Sequence, residues 1–131
     1  MSVGADVLQL MQKATQASVS ARLLLDAGDI DGACNRAYYA MFDAARAALI
    51  ASKSPVPPEV ARTHNGLIAA FGLHLVKPGL VANELGRIFN RAEEIRLVAD
   101  YKGDSVELED AREVVIQADR FVEAMRSQFF S

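Results

Sequence analysis

Most of the chemistry this chain could perform sits in one stretch, Glu93-Glu94-Ile95-Arg96-Leu97-Val98-Ala99-Asp100-Tyr101. Arg96 and Asp100 are four residues apart, so on a helix they share a face and can pair. An Arg at the edge of an apolar seam, oriented by a carboxylate, suits phosphate binding because its fork of donors is fixed in direction. Tyr101 follows at the helix end, where a phenol can be half buried with its hydroxyl in water. The same spacing also fits an ordinary i,i+4 ion pair beside a Tyr that closes the end of a bundle.

A second polar set lies in Asn35–Ile50, NRAYYAMFDAARAALI. There Asn35 or Arg36, then Tyr39, Asp43 and Arg46, recur at steps of three and four and form one narrow stripe. Other chemistry is sparse. Cys34 is the only cysteine, which excludes an internal disulfide and a two-cysteine metal site. It falls among small apolar residues and reads as a packed hydrophobe. His64 and His74 are ten apart, not at metal-ligand spacing, so no metal site is expected. His64 stands in Thr63-His64-Asn65-Gly66 near a helix start, either as a hydrogen-bonded structural histidine or as part of a polar site. No Gly-rich phosphate loop and no nucleophile elbow is present, and no cofactor is implied.

The elements that must position these residues are helices. Ala33, Ala37, Ala40, Ala44 and Ala48 line one face of the Asn35–Ile50 helix, and Tyr38, Met41, Phe42, Ala45 and Leu49 line another. A helix apolar on nearly every side is buried, and its one polar stripe either carries a site or faces a second subunit. Before it, Val7, Leu10, Ala14, Ala17, Ala21 and Leu24 mark a helix from about residue 6 to 27, with Gly28 as its stop. Asp29 then caps the second helix, from about 31 to 52, antiparallel to the first. Lys53–Pro58 breaks the chain with three prolines in four residues. A shorter helix is expected from about 61 to 75, with Leu67, Ile68, Phe71 and Leu75 inward, then a turn at Lys77-Pro78-Gly79. Val81, Leu85, Ile88, Ala92, Ile95 and Ala99 form a regular seam ending before Gly103. Asp104-Ser105-Val106-Glu107 reads as a capping box for the last helix, whose inward residues are Leu108, Ala111, Val115, Ala118, Val122, Met125 and Phe129. No segment alternates with strand periodicity. The expected fold is all-α, an antiparallel four-helix bundle with one additional shorter helix.

Length and composition bound the function. A chain of 131 residues is expected to be a single domain, 1–131. With 51% hydrophobic and 24% charged residues it is globular, and a net charge of only −3 gives no general attraction for nucleic acid. The N-terminus lacks the pattern of a signal peptide and no run approaches a membrane span, so a cytoplasmic location is expected. No period near 34 residues repeats, which argues against a helical-repeat array.

Taken together, these segments carry a resemblance. Asn35–Leu49 resembles the RAYYAMFHAARALL-type segment of HEPN-domain proteins, in particular their small stand-alone group. Thr63-His64-Asn65-Gly66-Leu67, Phe71 and Val76-Lys77-Pro78-Gly79 are similar to that group's central segment. Arg96-Leu97-Val98-Ala99-Asp100-Tyr101 is similar to its Arg-x-x-Ala-Asp-Tyr signature. The resemblance covers nearly the whole chain and implies a HEPN bundle, usually a homodimer, paired with a minimal nucleotidyltransferase in a toxin–antitoxin module. Ribonuclease members of the wider group use an Arg followed four to six residues later by a His, without metal. Arg96 matches that Arg, while Tyr101 stands where the His would be. A phenol of ordinary pKa about 10 is a poor base at neutral pH, so ribonuclease activity stays open while phosphate recognition by Arg96 does not depend on it. The resemblance implies a catalytic set of Arg96, Asp100 and Tyr101, and RNA or adenine-nucleotide binding by Arg96 with Asn35, Tyr39 and Asp43. By analogy Tyr101 is also a candidate modification site. The alternative is a non-catalytic helical dimerisation or adaptor protein.

Overall fold

Gly28 sets the first corner. Its φ of 88° is one that residues with a side chain rarely adopt, and it separates α1 (Ala5–Asp26) from α2 (Ile30–Ala51). The Asp29 side chain then accepts a hydrogen bond from the Gly32 amide at 2.9 Å, satisfying one open donor of α2. These bounds lie within one residue of those expected from periodicity. The computed structural model describes residues 4–101 and 105–130.

α2 is the centre of the fold. Ala33, Ala37, Ala40, Ala44 and Ala48 are fully buried, as are Tyr38, Met41 and Ala45. The small residues let α1 approach closely, and α5 and α6 pack on the bulkier sides. Two polar contacts tie α1 to α6: Arg22 pairs with Asp119 at 2.6 Å, and the Ser18 hydroxyl donates to the same carboxylate.

Beyond α2, Lys53 takes a positive φ of 58° and the prolines carry the chain away. The segment expected as one shorter helix is divided. α3 (Pro58–Ala61) begins with proline at its first turn, where the missing N–H costs nothing. Thr63 then restarts the helix, its hydroxyl accepting from the Gly66 amide at 3.0 Å, to give α4 (His64–Phe71). The chain continues as a π-helical turn over Gly72–Val76, closed by Lys77 N–H to Gly72 C=O at 2.8 Å. The cap at Thr63 and the wider turn replace the continuous 61–75 helix because a hydroxyl competes with the helical hydrogen bonds.

Gly79, at φ 84°, turns the chain into α5 (Asn83–Tyr101), and α6 (Leu108–Phe130) completes an all-helical fold with no strand among the described residues. The expected stop at Gly103 and the first residue of the expected capping box, Asp104, lie outside the described residues. The Ala111 amide donates to the Glu107 carbonyl at 3.0 Å in the first turn of α6. The seam of α5 is rotated from the expected one: Phe89, Ala92, Glu93, Ile95 and Arg96 are buried, while Leu85, Ile88 and Ala99 are only partly so.

An aromatic line runs through the core. Phe71, Phe89 and Phe121 meet with centroids 5.3 to 5.6 Å apart. Phe89 in turn stacks on Tyr38 at 6.0 Å, which carries the packing out to the polar face of α2. No helix among the described residues is long and apolar enough to cross a membrane.

Candidate functional site

Arg96 lies inside the bundle rather than at its rim, with 3% of its surface exposed. Its Nε and Nη2 donate to Glu93 Oε1 at 3.0 and 2.5 Å, and its Nη1 donates to Asp100 Oδ2 at 3.1 Å. The spacing of four brings Asp100 to Arg96 as the sequence suggests, but the closer partner is Glu93, three residues earlier. Burial works to lower the pKa of Arg96, and the Glu93 carboxylate overrides it and holds the guanidinium above its ordinary value. Three phenol rings surround that guanidinium, with Cζ 4.9 Å from the Tyr38 centroid, 6.0 Å from Tyr39 and 5.8 Å from Tyr101.

α2 supplies the opposite wall. The Asn35 amide donates to Asp100 Oδ2 at 3.2 Å, so that one carboxylate oxygen joins α2 to α5. Tyr39, half-buried, sets its ring edge-on against Tyr38 at 5.1 Å. Arg36 lies over the Tyr39 ring at 5.5 Å, and its Nε is buried without a hydrogen-bond partner. Asp43 does not join Arg96. It answers to burial, which raises its carboxyl above the ordinary value, and to the opposing charges of Lys13, Arg46 and Arg36. Tyr101 ends α5 with 73% of its surface exposed, beside the Arg96 guanidinium and open to solvent.

His64, which its sequence context fits either as a structural histidine or as part of a polar site, lies against this cluster. The cap at Thr63 starts α4 so that His64 Nδ1 comes 2.8 Å from the Tyr38 hydroxyl and 3.8 Å from Glu93 Oε2. Its ring packs 5.5 Å from Phe42 and 5.9 Å from Tyr39. Burial, reinforced by Glu93, keeps the Tyr38 phenol protonated. Glu93 Oε2 is buried without a hydrogen bond. When His64 carries its proton on Nδ1 and donates to Tyr38, the Tyr38 proton is free to turn toward that oxygen. This leaves Nε2 of the imidazole as an acceptor. No local signal could have paired residues 38, 64 and 93, which come from three helices.

The cluster packs its side chains together from α2, α4 and α5. One surface groove lies between α5 and α6 along Arg87, Ile88, Arg91, Ile95 and Val114, and another borders the cluster along Asn65, Ile68, Asn90 and Glu93. No group of three or more His, Cys, Asp or Glu side chains among the described residues could hold a metal ion. The face carries the Arg36 and Arg96 guanidinium groups and the His64 imidazole against the Tyr38 and Tyr39 rings, bounded by Glu93 and Asp100.

The family model for the HEPN domain matches residues 7–128. A UPF0332 protein of Gloeobacter violaceus is 35% identical over 87% of this chain and 88% of its own. A Methanocaldococcus jannaschii protein named as a candidate toxin is 31% identical over 92% of this chain and 87% of its own. A UPF0332 protein of Thermotoga maritima is 34% identical over 87% of this chain and 83% of its own. The family match over residues 7–128, the all-helical fold and relatives 31–35% identical over 87–92% of this chain identify it as a member of the HEPN domain family.

Proposed function

We propose that this protein is a toxin-type HEPN component that binds the phosphate of RNA or of an adenine nucleotide at the face built from Asn35, Tyr39, Arg96 and Asp100. It acts as a homodimer paired through that face with a second copy, and it works with a minimal nucleotidyltransferase for which Tyr101 is the acceptor. The observation that carries the reading is the convergence of α2 and α5 on one polar face, where the Asn35 amide and the Arg96 guanidinium share Asp100 and an exposed Tyr101 stands beside them. The relative named as a candidate toxin supports the toxin-type role.

Incubating the purified protein with labelled single-stranded RNA, and separately with ATP, tests the binding. Retention of either ligand supports the reading, and retention of neither removes it. Electrophoresis of the same RNA after incubation reports cleavage, with intact RNA across a broad pH range restricting the protein to binding. Sedimentation at micromolar concentration tests the pairing, and a clean monomer contradicts it. For Tyr101, a nucleotidyltransferase partner with ATP should add one nucleotide unit to the native chain and none to Tyr101→Phe.

A second reading is a non-catalytic dimerisation module. It is favoured by the occupation of Arg96 by Glu93 and Asp100 and by a Tyr at position 101 in place of an imidazole. It predicts a dimer that retains neither RNA nor ATP.

A further inference from the structure

We propose that Arg36, and not Arg96, is the residue of this face that receives the phosphate. The inference rests on the phosphate-binding reading above and names the side chain that performs it. Arg96 is already satisfied: all three of its nitrogens donate to carboxylates, and it is 3% exposed. One guanidinium there faces two carboxylates, so the charge around Arg96 favours no further anion. A phosphate reaching it would first have to displace Asp100, which Asn35 also holds.

Arg36 is the opposite case. It lies one turn before Tyr39 on the same polar stripe of α2, partly exposed. No carboxylate among the described residues forms an ion pair with it, and its Nε is buried without a hydrogen-bond partner. Asp43 feels its charge only behind those of Lys13 and Arg46. A buried donor with no acceptor is uncommon, and a water, an ion or a ligand can supply one. The guanidinium lies 5.5 Å from the Tyr39 ring centre, within cation–π range, which limits the orientations open to its fork of donors. Arg96 presses on the Tyr39 ring from 6.0 Å, and His64 meets it edge-on at 5.9 Å. Arg96 is thus the positioning residue that holds Tyr39, and Tyr39 holds Arg36. The ligand chemistry is a phosphate mono- or diester, carried by a free nucleotide or by an RNA chain.

The test is a binding titration on the full chain at about 50 mM and about 200 mM salt, where phosphate contacts weaken steeply. The probes are a labelled single-stranded RNA oligomer, ATP and inorganic phosphate. Arg36→Ala is expected to weaken binding by about tenfold or more, as the loss of a charge-assisted pair does. Arg36→Lys keeps the charge without the fork and should restore only part of it. Arg62→Ala, an exposed arginine on the loop before α4, should bind as the native chain does. Thermal unfolding and sedimentation of Arg36→Ala should be unchanged. Retention of RNA alone assigns the phosphodiester as the ligand, and retention of ATP and phosphate assigns the free nucleotide. Native affinity in Arg36→Ala overturns the assignment to Arg36 while leaving the phosphate-binding reading in place. Dissociation of the Arg36→Ala protein into smaller species also overturns it, since the side chain would then serve subunit contact. Failure of the native chain to retain any of the three probes removes the phosphate-binding reading itself.

Discussion

Residue by residue, burial decides what each charged group does. Arg96 and Glu93 are both buried and share two hydrogen bonds, so cutting one away strands the other. Arg96→Ala should therefore destabilise the fold by about 3–5 kcal/mol, measured by urea unfolding. Its loss of ligand binding could not then be read as a contact, which is why Arg36 is the informative substitution. A loss below about 0.5 kcal/mol, the value of an exposed pair, would contradict the buried geometry. Asp43 makes a pH-dependent case. Burial raises its carboxyl above the ordinary 3.8, so the folded chain holds that proton more tightly than the unfolded chain does. The stability this contributes is present below the unfolded value and is lost as pH rises through the folded one. Asp43→Asn should accordingly be more stable than the native chain at neutral pH, and the difference should close on acidification below 3.8. An unchanged melting difference across that range would show that Lys13, Arg36 and Arg46 already offset the burial. The pairing of Arg96 with Asp100 could be read from a spacing of four, whereas its depth could not. The apolar seam drawn through Leu85 and Ile88 omitted Phe89, and Phe89 is the residue that turns Arg96 inward with it. The Tyr38–His64 contact spans 26 positions and leaves no trace in local pattern.

Helix by helix, legibility follows the backbone rules that apply. α1 and α2 were readable because a glycine at φ 88° and an aspartate cap fix their junction. The segment between the prolines and Gly79 was not, since apolar residues at 67, 71 and 75 fit one helix equally well with or without a restart at Thr63. The restart matters for the site because it sets where His64 points. It depends on Gly66, where an added Cβ would lie 2.3 Å from the Val60 carbonyl oxygen and 2.4 Å from the Thr63 hydroxyl. The carbonyl belongs to the backbone and cannot rotate away as a side chain does. Gly66→Ala should therefore cost about 1–3 kcal/mol, the usual range for overpacking. It should also shift the imidazole resonances of His64 in an NMR spectrum. The comparison variant Gly72→Ala meets nothing within 4 Å at a helical φ of −61°, so it should not lower stability and should leave the His64 resonances in place. Equal behaviour of the two variants would mean that the α3–α4 corner yields freely and does not hold the histidine.

For the molecule as a whole, stability rests on α2, because α1, α4, α5 and α6 all pack against it. Such an arrangement predicts that α2 is exposed only when the bundle opens globally. Cys34 is a built-in reporter of that event. It is fully buried in α2, and burial pushes its thiol up to about 11, so the native chain offers neither access nor thiolate at mildly alkaline pH. An aromatic disulfide reagent at about pH 8 should then label the folded protein far more slowly than the urea-unfolded chain. The labelling rate should rise with urea on the same slope as global unfolding, since no smaller opening uncovers the residue. The core aromatics Phe71, Phe89 and Phe121 bridge α5 and α6 to the same centre, which makes fraying of one helix alone insufficient. Labelling at a urea-independent rate would contradict this, by showing that α2 can part locally from a neighbour while the rest stays folded. Because Asn35 and Arg36 directly follow Cys34 in sequence, such local parting would also loosen the polar face. Phosphate bound there should then slow the labelling in proportion to its occupancy.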